Sequence, residues 1–98
     1  MGKTQTVPIT DHFELMMISA LRYAIGRETY MPEITIHYIK NLVPKFTERT
    51  LFVMRRDIEE EVRRYERMGH ELYMKKEWLG LQQEIHEAYR KLVPNENV

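Results

Sequence analysis

The side chains able to do acid–base, metal or nucleophilic chemistry are few in this sequence and poorly spaced for it. His12, His37, His70 and His86 stand singly along the chain. They form neither His-Glu-x-x-His nor the Glu-x-x-His pairs that di-iron bundles use. His86 precedes Glu87 but has no second histidine four residues on, so surface or half-buried histidines are expected and a metal site is not. Ser19 is the sole serine, set inside an expected helix and outside any nucleophile-elbow context. Glycines at 2, 26, 69 and 80 build no phosphate-cradling loop. The carboxylates belong mostly to one salt-paired helix face rather than to a converging pair. The expectation is a protein that is not an enzyme, with no cofactor and no metal.

Arginine beside tyrosine is the combination that remains. The stretch LRYAIGRETYMP, residues 21–32, gathers Arg22, Tyr23, Arg27, Thr29 and Tyr30 around one glycine and one proline. Such pairs anchor protein interfaces and also hold phosphates and stacked bases. More commonly the tyrosines cap a small core with the hydroxyl in water, and Tyr23, Tyr30 and Tyr38 are open to that reading too. Arg55 and Arg56 are natural additions to a surface of this kind.

The elements that must position these residues read as helices. Residues 1–11 read as a polar tail, with Thr10 or Asp11 as an N-cap and Glu14 as the acidic half of a capping box. Over residues 12–25, Phe13, Met16, Met17, Ala20, Leu21 and Ala24 repeat at helical spacing, and Gly26 supplies the stop. Residues 32–42 alternate like a strand at Ile34, Ile36 and Tyr38, yet also repeat like a helix at Ile34, Tyr38 and Leu42. No partner strand is evident and Pro32 suits a first helical turn, so a helix is expected. Residues 48–68 carry Leu51, Met54, Ile58, Val62, Tyr65 and Met68 on one stripe after a Thr47 cap. Their other face offers Glu59–Arg63 and Glu60–Arg64 as pairs in the favoured order. Residues 71–92 place Trp78, Leu81, Ile85, Ala88 and Leu92 on a fourth stripe, with Gly80 inside it. A single all-α domain follows, a small bundle of about four helices.

The first helix holds an oddity. Beyond its main stripe, Leu15, Ile18 and Ile25 lie on the opposite side with Arg22 among them. A helix apolar nearly all round is central to its fold or covered by another chain, so a homo-oligomer is expected. Arg22 on that side needs a partner, because an unpaired desolvated charge costs several kcal/mol. The candidates are Glu33 or Asp57 of this chain, a neighbouring subunit, or a bound anion.

Charge sets limits of another kind. The chain has 98 residues with 15 basic and 15 acidic side chains, so no global field draws it to nucleic acid. Five basic and four acidic residues up to Phe46, then ten and eleven, leave neither part a basic arm. Cysteine is absent, which suits a reducing cytoplasm. No apolar run approaches the ~18 residues of a membrane span, and residues 1–11 lack a signal-peptide pattern. A cytoplasmic protein without a membrane partner is expected.

Three pieces of sequence carry a resemblance: ALRYAIGRETYMP at 20–32, TLFVMRRDIEEE at 50–61, and Trp78. They resemble a group of small uncharacterised proteins encoded by bacteriophages and prophages. That group shares an Ala-Leu-Arg-Tyr-Ala-Leu-Gly-Arg-x-Thr-Tyr signature and a later Met-x-Arg-Asp-Ile-Glu-like helix. Met54, Arg56, Asp57, Ile58 and Glu59 match the second motif, and Ile25 stands where leucine is commoner in the first. The resemblance spans most of residues 15–80 and carries no activity with it. It implies a bacterial host cell and an accessory role exercised by binding, such as inhibition of a host defence system.

The resulting expectation is a binding protein with a surface of Arg22, Tyr23, Arg27, Thr29, Tyr30, Arg55 and Arg56. Its partner would be a host protein or a phosphate-containing small molecule such as a nucleotide signal. The alternative is a DNA-binding regulator in which the first two helices form a helix-turn-helix, with Arg27, His37 and Lys40 toward the groove. That alternative lacks the basic stripe of a groove reader and carries Glu33 where phosphates would approach.

Overall fold

A computed structural model describes the backbone of residues 7–28 and 31–95, with side chains from residue 12 onward. Within that span the chain folds into four α-helices, with no strand. They are α1 (Val7–Ala24), α2 (Pro32–Leu42), α3 (Glu48–Arg67) and α4 (Lys75–Leu92), with a 3-10 turn at Val43–Lys45. Helix α1 packs on α2 and α3, and α4 packs on α3 and α2, which closes a ring of four. The α1–α2 edge and the α3–α4 edge therefore lie on opposite sides of the bundle. Leu21, Ile39, Leu51, Met54, Ile58, Trp78, Leu81 and Ile85 fill the centre and are fully buried.

Residues 32–42 are helical. Pro32 sits buried in the first turn, where its missing N–H costs nothing, while Ile36 and Ile39 point into the core. Alternation of Ile34, Ile36 and Tyr38 carries no strand, because only Ile36 of the three is buried. Gly26 takes a positive φ of 86° after α1, and its carbonyl accepts a long 3.5 Å hydrogen bond from the Tyr65 hydroxyl. A Cβ at that position would stand 2.6 Å from the same hydroxyl, so both conformation and space call for glycine.

Several boundaries and faces differ from the sequence expectation. Helix α1 begins at Val7, so residues 7–11 are helical rather than tail. The side chains of Thr10 and Asp11 lie outside the described residues. Glu14 does not complete a capping box for its own helix. Its carboxylate is buried against the start of α3, where Oε1 accepts from the Thr47 N–H at 3.3 Å, the Thr47 hydroxyl at 2.8 Å and the Thr50 hydroxyl. A negative group at a helix N-terminus meets the orphan donors and the positive end of the dipole together. Helix α4 begins at Lys75 and not near residue 71, after Met74 in a left-handed conformation with φ of 58°.

The buried stripe of α1 is Glu14, Ile18, Leu21 and Ala24, continued by Ile25. Ile18 and Ile25 thus face the core, whereas Phe13, Leu15 and Met16 are exposed and Ala20 is half-buried. In α4, Tyr89 joins the core with Trp78, Leu81 and Ile85, while Ala88 is half-buried and Leu92 exposed. Met68, past the end of α3, is exposed as well. On the outer face of α3 the Glu59–Arg63 pair forms at 2.9 Å. Arg64 pairs with Glu61 at 2.6 Å instead of Glu60, and Glu60 lies 3.9 Å from Arg56. Hydrogen bonding and charge from Glu61 raise the Arg64 guanidinium above its ordinary value. Arginine is charged throughout the accessible range in any case, so no pH switch arises there.

Candidate functional site

Arg22 resolves onto Asp57. Its Nε reaches Asp57 Oδ2 at 2.6 Å, tying α1 to the middle of α3. Glu33 is not its partner. The Arg22 side chain is 55% exposed against 11% for Asp57, so water screens the pair and its net contribution is modest. Arg56 approaches the other Asp57 oxygen at 3.7 Å, and one mostly buried carboxylate thereby serves two arginines. One turn beyond Arg22, the Arg27 guanidinium lies 4.8 Å over the Tyr23 ring, a cation–π stack at the α1 terminus. Thr29 and Tyr30 lie outside the described residues.

Arg55 leaves α3 in a different direction, toward α4. Its guanidinium sits 4.5 Å over the Tyr89 ring and 5.6 Å over Phe52. One of its N–H groups lies 2.8 Å from His86 Nδ1, which accepts when that nitrogen is unprotonated. Gln82 donates from Nε2 to the Arg55 carbonyl at 3.3 Å and to Glu59 Oε1 at 2.9 Å. Phe52, Arg55, Glu59, Gln82 and His86 wall an open groove of about 460 Å³ between α3 and α4, completed by Arg56, Arg63 and Gln83. Three arginines face one glutamate among its lining residues.

Of the seven residues chosen from the sequence, the five that are described fall into separate groups. Arg22 and Arg56 meet at Asp57, Tyr23 and Arg27 stack at the end of α1, and Arg55 belongs to the α3–α4 groove. Arg56 links the first and third groups, since it reaches Asp57 and also lines the groove. His86, Gln82, Glu59 and Arg63 were missed as groove residues. A signal for the α3 half was present: Phe52, Arg55, Arg56, Glu59 and Arg63 repeat at three- and four-residue steps along one flank.

Among the described residues that line the opposite edge no ion pair is found, and the Arg27 guanidinium over Tyr23 borders it. Phe13, Leu15, Met16 and Tyr23 of α1, with Ile34 and Tyr38 of α2, are exposed by 43% at Phe13 to 66% at Met16. Phe13, Met17 and Ala20 face Ile34, Tyr38 and Leu42 across a furrow of about 590 Å³. Leu15, Met16, Ser19 and Tyr23 extend this surface along the outer flank of α1.

Among the described residues no three His, Asp or Glu side chains gather as a metal would require. No described helix is long and apolar enough to cross a membrane. Comparison with known protein families, curated proteins and solved structures finds no match to this chain.

Proposed function

We propose that the protein works by binding, as a two-fold pair of chains joined through the α1–α2 edge, with the α3–α4 edge turned outward to its target. The observation that carries this reading is the uncovered apolar surface of α1 and α2, six large side chains 43–66% exposed. At the ~150–250 Å² of a large side chain, these exposures leave roughly 600 Å² per chain, near the ~800 Å² each partner commits to a standard interface. A two-fold contact sets the same patch against itself, and a surface lined by uncharged apolar groups is self-complementary in that arrangement. The furrow and flank present Phe, Leu, Met, Ile, Tyr, Ala, Ser, Thr and Asn, with His12 at the margin.

In the phage setting that the sequence resemblance implies, the target is a component of host defence inside the bacterial cell. It is a protein or a nucleotide signal, met by the arginine-rich outer edge. A regulator of transcription draws less support. Lys40 lies 3.4 Å from Glu84, His37 contacts Asn41 at 3.2 Å, and the exposed residues of α2 include the acidic Glu33 and the apolar Ile34 and Tyr38.

Light scattering on the purified chain tests the pairing. The mass should rise with concentration toward twice 11.9 kDa. Met16→Glu with Tyr38→Glu should hold it at the single-chain value with helicity unchanged, because both side chains are exposed. A strict monomer up to about 1 mM, the range of weak association, overturns the reading.

A further inference from the structure

We infer that Met16 is a site of reversible sulfur oxidation, and that its sulfoxide keeps the chain single by spoiling the α1–α2 pairing surface. The inference rests on the pairing reading and adds a chemical control of that same surface.

Among the described residues Met16 is the most exposed large apolar side chain, at 66%. It lies on the outer flank of α1 with Leu15, Ser19 and Tyr23, inside the proposed contact. The other methionines differ from it in burial or in place. Met54 is fully buried, and Met17 and Met74 are half-buried against the core. Met31 and Met68 are exposed, by 54% and 47%, yet neither lines the furrow or the flank. Met1 lies outside the described residues. The chain contains no cysteine, so no thiol competes with the thioethers for an oxidant. Trp78, the other readily oxidised side chain, is fully buried.

The co-reactant is a two-electron oxidant of the peroxide class. A lone pair of the Met16 sulfur attacks one peroxide oxygen and the O–O bond breaks. The departing hydroxide takes the proton of the new S–OH group and leaves as water. Sulfur is oxidised by two electrons and the peroxide is reduced by two. The product carries a polar S=O group where an apolar thioether stood. In the single chain that group faces water, so the fold is little affected. In the pair it would be covered by apolar side chains of the second chain, and burial of a polar group there is unfavourable. The two-fold axis doubles the effect, because each chain brings one Met16. Pairing and oxidation therefore exclude each other: a covered Met16 is shielded, and an oxidised one keeps its chain single.

Treatment of the full chain with hydrogen peroxide, followed by peptide mass spectrometry and light scattering, tests the site. One added oxygen should appear at Met16, Met31 and Met68 well before Met54. The Met16 rate should fall as the chain is concentrated from about 10 μM to about 1 mM, while the Met31 and Met68 rates stay constant. The oxidised chain should keep its helicity and pair roughly a hundredfold more weakly, about tenfold for each of the two sulfoxides. Methionine sulfoxide reductases should restore the pairing. Met31→Leu and Met68→Leu chains should lose pairing on oxidation as the wild type does. Met16→Leu, compared with its own unoxidised state, should lose almost none. An oxidised wild type that pairs as tightly as the reduced one overturns the inference and leaves the pairing reading standing. So does a Met16→Leu chain as sensitive as the wild type, or a Met16 rate independent of concentration in a chain that pairs. A reduced chain that stays single overturns the pairing reading and this inference with it.

Discussion

Glu14 does more for this fold than its place near the start of a helix suggests. It is a buried carboxylate that supplies the acceptor for the first turn of α3, through the Thr47 N–H and the Thr47 and Thr50 hydroxyls. Thr47 makes no side-chain cap of its own, so the cap comes from a residue 33 positions away. Glu14→Ala strands those donors and should cost about 2–3 kcal/mol, read as a lower urea midpoint. Glu14→Gln keeps an accepting oxygen and should cost clearly less; equal losses for the two would contradict the capping role. Local spacing could not show this, because the sequence offered Glu14 a nearer partner in Asp11 at capping-box distance. Arg22 was more legible. An arginine on a second apolar face had to find an anion, and Asp57 was one of two carboxylates in reach on sequence grounds.

At the scale of the element, the two glycines of α1's end and α4's middle make opposite demands. Gly26 has a positive φ and a hydroxyl where a Cβ would go, so Gly26→Ala should destabilise by more than 1 kcal/mol. Gly80 sits within α4 with open space around it, so Gly80→Ala should stabilise by about 0.5–1 kcal/mol, or roughly 4–8 °C in Tm at the upper figure. Thermal unfolding of both variants checks the contrast, and a lowered Tm for Gly80→Ala would mean that its surroundings are not open. Helix type and order were readable because Leu51, Met54, Ile58 and Val62, or Trp78, Leu81 and Ile85, keep a strict helical period. The inward face of α1 was not readable. Phe13, Met16 and Ala20 keep that period as well as Glu14, Ile18 and Leu21 do, and only the packed neighbours decide which set turns in. A buried glutamate on the inward side further disguised it.

Taken whole, the molecule is a slab, 49 × 35 × 20 Å. Its thickness is about two helix diameters, so every helix keeps an outer face and a chain this short cannot wrap α1 completely. The bundle leaves two unlike edges, one lined mostly by apolar side chains, the other rich in arginine. The face of α1 that the sequence set apart for another chain differs in the structure: Ile18 and Ile25 are core, whereas Phe13, Leu15 and Met16 are surface. The arginine groove was only half visible, because Arg55 and Arg56 show in the sequence while His86 and Gln82 reach them from 31 and 27 residues away.

A dilution series of amide proton–nitrogen spectra, from about 1 mM to about 10 μM, tests the central claim most directly by locating the paired surface residue by residue. The account predicts concentration-dependent shifts at Leu15, Met16, Ser19, Tyr23, Ile34 and Tyr38, with Arg55, Arg63, Gln82 and His86 unmoved. Shifts confined to the α3–α4 edge, or spectra identical across the series, would contradict it.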